Sequence, residues 1–188
     1  MSRLRVLAAN PRLALGALLT LLLAAGAVVG SGADFTASSA NPANTFASGT
    51  LSIANSKEGT AVLSASGLRP TGSATGTVDI QNTGSLSGAF TLSRTAPVDS
   101  DTSNPMSAKL NLTVVDCGVF NGSTAPTCGD GDDTTKYNGT LAAMGATALG
   151  TYNADVKHRY QFTVQLDGSA GNAYQGDSSS VEFDFNAA

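Results

Sequence analysis

The sequence predicts an all-β fold, an antiparallel sandwich of jelly-roll type set behind an N-terminal export segment. Three observations predict it. Seven or eight short segments alternate apolar and polar residues with period two. Each is bounded by Gly, Pro, Asn, Asp or Ser, the residues that turn a chain. Ser and Thr make up 39 of the 155 residues from Asp34 onward, with no helical periodicity in Ala, Leu, Glu and Lys to support a bundle. Period-two alternation buries one face of a sheet and wets the other. Two such faces covering each other make a sandwich.

The first element is an address. Arg3, Arg5 and Arg12 precede an uncharged run from Leu13 to Val29, and Gly30-Ser31-Gly32-Ala33 follows. This is the basic, apolar and small-residue order of a secretory signal, with cleavage expected between Ala33 and Asp34. A retained membrane anchor is the competing reading. Its run of 17 residues sits at the short end of the about 17–25 needed to span. The expected partners are a signal peptidase during export and the membrane only through an uncleaved signal. The expected location is outside a bacterial cell, secreted or at its surface.

From Asp34 onward the chain reads as one domain. Residues 34–43 carry one bulky apolar side chain, Phe35. Phe46 to Ile53 and Thr60 to Ser64 are candidate strands, followed by a turn at Leu68-Arg69-Pro70-Thr71-Gly72. Gly76 to Gln81 alternates Val78 and Ile80 against Thr77 and Asp79, and Asn82-Thr83-Gly84 turns the chain again. Ala89 to Arg94 and Leu110 to Cys117 are further strands, separated by a surface loop over Ala96 to Ser107. A second loop runs from Gly118 to Thr135, and Leu141 to Leu149 is the one candidate helix. Arg159 to Leu166 is the clearest strand, with Tyr160, Phe162, Val164 and Leu166 on one face. Val181, Phe183 and Phe185 alternate with Glu182 and Asp184 near the end.

Charge narrows the function classes. The three arginines before residue 30 are among ten basic residues, and all fourteen acidic residues follow Ala33. Without its first 33 residues the chain keeps seven basic and fourteen acidic groups, a net −7. Such a surface repels phosphate backbones, so no nucleic-acid partner is expected.

Few residues could carry chemistry, and no catalytic residue, resident metal or cofactor is expected. His158 is the only histidine and no H-E-x-x-H motif exists, while a zinc protease needs three ligands and a water. His158 reads as a solvent-facing residue leading into the strongest strand. Asp130, Asp132 and Asp133 surround Gly131 in a compact acidic loop. It reads as solvated, with a weak calcium site as the other reading, because calcium takes oxygen ligands from such loops. Cys117 and Cys128 are the only cysteines, and an exported chain would pair them. A redox or metal pair would want closer spacing and more ligands. Asn111, Asn121 and Asn138 begin glycosylation-type triplets, which a Ser- and Thr-rich chain produces by chance.

Motifs at both ends of the mature chain carry a resemblance. Asn44-Thr45-Phe46-Ala47-Ser48-Gly49-Thr50-Leu51 precedes Gly67-Leu68-Arg69-Pro70 and Val78-Asp79-Ile80-Gln81-Asn82-Thr83-Gly84-Ser85. Near the C-terminus stand Asn172-Ala173-Tyr174-Gln175-Gly176-Asp177-Ser178 and Val181-Glu182-Phe183-Asp184-Phe185. In order and type these resemble the TasA/camelysin family of secreted bacterial biofilm-matrix proteins, and Ala33-Asp34-Phe35 resembles signals handled by a SipW-type peptidase. Thr71 departs from the family pattern, which has Gly directly after Pro. Residues 95–148 carry no family motif and form the variable loop region.

The resemblance implies a jelly roll and a structural role in an extracellular fibre. It further implies polymerisation with itself or related matrix proteins, in which an N-terminal segment of one subunit completes the sheet of the next. Asp34 to Ala43 is then the donor strand, with Phe35 as its anchor. Two other function classes stand beside this one. The camelysin label implies a secreted metalloprotease, and the long central loops suit a monomeric adhesin or ligand-binding module.

Overall fold

A computed structural model describes residues 11–12, 15–20 and 48–188. The chain divides into two units, Met1–Phe46 and Ala47–Ala188. In the first, residues 11–12 and 15–20 are helical. The signal cleavage site between Ala33 and Asp34 and the donor segment 34–43 with Phe35 lie outside the described residues.

The second unit is an all-β sandwich in which every strand pair is antiparallel. Its strands are β1 (Ile53–Asn55), β2 (Ser73–Asn82), β3 (Gly88–Arg94), β4 (Val98–Asp99), β5 (Leu110–Phe120), β6 (Thr134–Thr140), β7 (Thr147–Tyr152), β8 (Lys157–Leu166), β9 (Ser179–Ser180) and β10 (Phe183–Ala187). One sheet has the order β1-β2-β8-β5-β6 and faces a smaller one, β10-β3-β7. β4 and β9 form a separate two-stranded ribbon. The larger sheet is built from the strands with the strongest alternation. Val78 and Ile80 of β2, Leu110, Leu112 and Val114 of β5, and Tyr160, Phe162, Val164 and Leu166 of β8 all point inward and are buried. Phe90 and Leu92 of β3, with Leu149 and Tyr152 of β7, close the core from the other side. The sequence reading named a jelly roll. The described strands stand five against three.

Two turns show why the chain reverses where it does. Gly72 N–H donates to Arg69 O at 2.7 Å, closing a four-residue turn with Pro70 second and Thr71 third. Thr71 has φ 69°, the left-handed value that the third position of a type II turn requires. In the second turn, Asn82 is fully buried and its side chain is satisfied on all sides. Its amide donates to Leu86 O at 2.7 Å and Tyr152 O at 3.1 Å, and its Oδ1 accepts from Gly84 N–H at 2.9 Å. One side chain thus ties the β2–β3 turn to the end of β7.

Several elements differ from the sequence reading. Of the expected Phe46–Ile53 strand only Ile53 is in a strand among the described residues, as the first residue of β1, and Thr60 to Ser64 is not a strand. Leu141–Leu149 is not a helix. A single 3₁₀ turn, Leu141–Ala143, leads into β7. Leu141, Met144 and Leu149 are buried, so the core takes this stretch as an extended connection, and Gly145 offers a helix nothing. The expected loop over Ala96 to Ser107 contains β4, which pairs with β9, and ends in the 3₁₀ turn Met106–Ala108. The ribbon is held by Asp99, whose carboxylate accepts from Ser107 N–H at 2.8 Å and Ser107 Oγ at 2.7 Å.

Candidate functional site

The inequality of the two sheets creates the candidate site. β10 is an edge strand of the smaller sheet, paired only with β3 among the described residues. Ala188 and Ala89 exchange both backbone hydrogen bonds, so in β10 the even-numbered residues bond to β3. The N–H and C=O groups of Phe183, Phe185 and Ala187 therefore aim away from β3. Beside this edge lies a cavity of about 1300 Å³. Its floor is the inner face of the larger sheet at Leu110, Leu112, Val164 and Leu166, and its near wall is β10 itself.

The far wall is the segment that follows β1. Residues 57–68 run along the cavity. Val62 and Leu63 lie over Gly76 of β2. A Cβ at that glycine would come within 2.0 Å of Val62 O and 2.9 Å of Leu63 Cβ. Glycine is therefore needed there for close approach of one backbone to another. Phe183 and Phe185 are only half-buried although their rings reach the core, with Phe162 at 4.9 Å and 6.4 Å between centroids. Ile53, Val62, Leu63 and Leu68 are likewise half-buried against the core. The lining of the slot is thus mixed, these apolar side chains sharing it with serines and with the charged Lys57, Glu58, Asp177, Glu182 and Asp184.

The other sequence-predicted positions lie elsewhere. Cys117 and Cys128 form a disulfide with Cα atoms 4.8 Å apart, pinning the loop after β5 to that strand. Asp130, Asp132 and Asp133 form a self-contained loop. Asp130 Oδ1 accepts from Asp132 N–H at 3.3 Å, and Asp133 Oδ2 accepts from Gly129 N–H. Among the described residues no three His, Cys, Asp or Glu side chains are grouped to hold a metal ion.

His158 is the clearest correction. The sequence predicts a solvent-facing residue, but the side chain is 17% exposed and turns inward. Its Nδ1 lies 3.0 Å and 3.1 Å from the two oxygens of Asp116, and its ring stacks on Tyr152 with centroids 4.2 Å apart. Tyr152 in turn stacks on Phe90 and shares a hydrogen bond with the Tyr160 hydroxyl. Lys136 Nζ sits 3.4 Å from Asp116 and donates to Leu149 O at 2.8 Å. Burial raises the Asp116 carboxyl. The hydrogen bonds from His158 and from Gly118 N–H, with the neighbouring His158 and Lys136 charges, outweigh it and hold the group below the ordinary carboxylate range. Burial pushes the Tyr152 phenol up, and nearby Asp116 pushes it further.

This cluster joins strands of both sheets, and none of its side chains lines the slot. Its arrangement fits a structural clasp better than a catalytic one. The signal that could have found it is parity. His158 continues the inward row of Tyr160 and Phe162, and Asp116 continues that of Leu112 and Val114.

No protein-family model matches the chain, and no curated protein matches it in sequence.

Proposed function

We infer that the protein is a secreted structural subunit of a bacterial extracellular matrix or surface fibre, and that its cavity accepts a β-strand from another copy. The observation that carries this reading is the edge of β10, unpaired among the described residues, beside a slot of about 1300 Å³ with a mixed polar and apolar lining. That volume exceeds the about 300–1,000 Å³ usual for small-molecule sites. An edge of unpaired N–H and C=O groups is a template for a further strand. Strand addition draws affinity from main-chain hydrogen bonds and specificity from pockets for alternate side chains.

The donor on this reading is Asp34 to Ala43. Ten extended residues reach about 33 Å, while β10 is five residues long. The resemblance to the TasA/camelysin family supports the same assignment, and the disulfide is consistent with an oxidising exterior. The adhesin reading draws on the same slot, used for a ligand instead of a strand.

Electron microscopy and sedimentation of the exported protein test this. Fibres or concentration-dependent oligomers are expected, and deletion of residues 34–43 should leave a folded, β-rich monomer. An exported protein that stays monomeric at every concentration transfers the slot to the ligand-binding reading.

A further inference from the structure

A strand that pairs with β10 brings its inward side chains with it. The two sheets of a sandwich pack about 10 Å apart, and side chains fill the gap between them. The far wall of the slot stands in that gap. Gly76 shares the inward parity of the buried Val78 and Ile80. A Cβ there would meet Val62 O at 2.0 Å and Leu63 Cβ at 2.9 Å. The backbone at Val62 and Leu63 therefore rests directly on β2, far closer than a second layer stands. It fills room that the side chains of an incoming strand need.

Little holds it there. Among the described residues no backbone hydrogen bond involves residues 61–68. Val62 and Leu63 are half-buried against the core, while Ala61, Ser64, Ala65 and Ser66 are exposed. The chain on either side is tied. Glu58 and Thr60 N–H donate to Asn55 O and Lys57 O, and Thr71 N–H donates to Leu166 O. Gly59 and Gly67 bound the loose stretch with φ 67° and 61°, and a Cβ on either would find open space. Glycine passes between positive and negative φ without a steric penalty, which suits both positions to act as hinges.

We propose that residues 60–67 are a strap that keeps the slot shut, turning out about Gly59 and Gly67 when a strand from another copy pairs with β10. This rests on the reading of the slot as a strand acceptor and names what controls entry to it. With the strap seated on Gly76, the inner face of β2 admits no side chain from a neighbouring copy. With the strap turned out, the places of Val62 and Leu63 pass to the newcomer. The apparent affinity for a strand is then lowered by the fraction of molecules whose strap is out.

Hydroxyl-radical footprinting of the exported protein, before and after assembly, reads these side chains directly. Oxidation of Val62 and Leu63 should rise on assembly to the level seen in the unfolded chain, while that of Phe183 and Phe185 falls. A fall at Phe183 and Phe185 without a rise at Val62 and Leu63 overturns the strap and leaves the β10 acceptor standing. No fall at Phe183 and Phe185 in an assembled protein overturns the acceptor reading, and the strap with it. Gly76→Ala supplies a second measurement. Its methyl group suits a strand that pairs with β8 opposite Phe162, but it cannot coexist with the seated strap. The folded variant should assemble at a protein concentration about tenfold lower than the wild type, as a mostly shut population becomes an open one. A folded Gly76→Ala protein that needs the wild-type concentration or more overturns the proposal, and the footprint of the wild type decides the matter if the variant does not fold.

Discussion

Thr71 stands where the turn geometry favours glycine. The third position of a type II turn needs positive φ, which glycine adopts without a steric penalty. Here a β-branched residue holds φ 69° in that place. Left-handed backbone costs a non-glycine residue about 1–2 kcal/mol, and a glycine gives back part of that in unfolded-state entropy. Thr71→Gly should therefore stabilise the domain by about 0.5–1 kcal/mol, measured as a rise in the denaturant midpoint. Carboxylates supply a second prediction at this scale. Hydrogen bonds from the Ser169 side chain and backbone, then from Asn111, hold Asp167 at about 2, below its ordinary 3.8. Asp99, Asp101 and Asp116 are shifted in the same direction. In each case the unfolded chain binds protons more readily than the folded one, so the stabilisation is lost as pH falls below the ordinary carboxylate range; for Asp167 it is present above pH 3.8 and lost as pH falls through about 2. Thermal melts across that window should show a falling transition, and Asp167→Asn should make its slope shallower. A melting temperature independent of pH in that range would contradict the assignment.

Among the elements, β5 bears most of the connections. It pairs with β6 and β8, shifts register between Asp116 and Val119 where it meets β8, and ends tied to the following loop through Cys117. The disulfide closes a separation of 11 residues, for which chain entropy predicts about 3 kcal/mol of stabilisation. Reduction, or the double substitution Cys117→Ser with Cys128→Ser, should lower stability by about that amount. It should leave the β-rich circular-dichroism spectrum intact, because the paired part of β5 is held by its neighbours. The strands that could be read in advance were those with one buried face and side chains large enough to show it. In β8, Tyr160, Phe162, Val164 and Leu166 mark one face beyond mistake, and β2, β3 and the start of β5 follow the same logic. β6 escaped because Thr134-Thr135-Lys136-Tyr137-Asn138-Gly139-Thr140 has no alternation. Its place comes from pairing with β5. β7 escaped because Ala148 and Gly150 read as helix or turn, while Leu149 and Tyr152 alone reach the core. The cavity was harder still. Its floor residues are ordinary core positions, and only the count of strands in each sheet, a property of tertiary order, leaves room beside β10.

On the scale of the whole molecule, the sandwich is unequal, and the imbalance faces one direction. Five strands offer an apolar face to three, and Leu110, Leu112, Val164 and Leu166 of that face, all buried, form the floor of the slot beside β10. A separate peptide of the donor sequence, Asp34 to Ala43, should enter the slot as a strand would, but it brings no domain behind it. It should cap growing assemblies and leave short oligomers in place of fibres, visible by sedimentation and microscopy. Phe35 is the only bulky apolar residue of that peptide, and burying a phenylalanine stabilises by about 1.5–3 kcal/mol. The Phe35→Ala peptide should accordingly inhibit roughly 10- to 100-fold less well. A scrambled peptide of the same composition keeps a phenylalanine but moves it out of register with its pocket, so it should not cap at all. Equal inhibition by all three would reduce the effect to nonspecific hydrophobic contact. No inhibition by the donor peptide, at any excess over a protein that still forms fibres, would mean that another segment fills the slot.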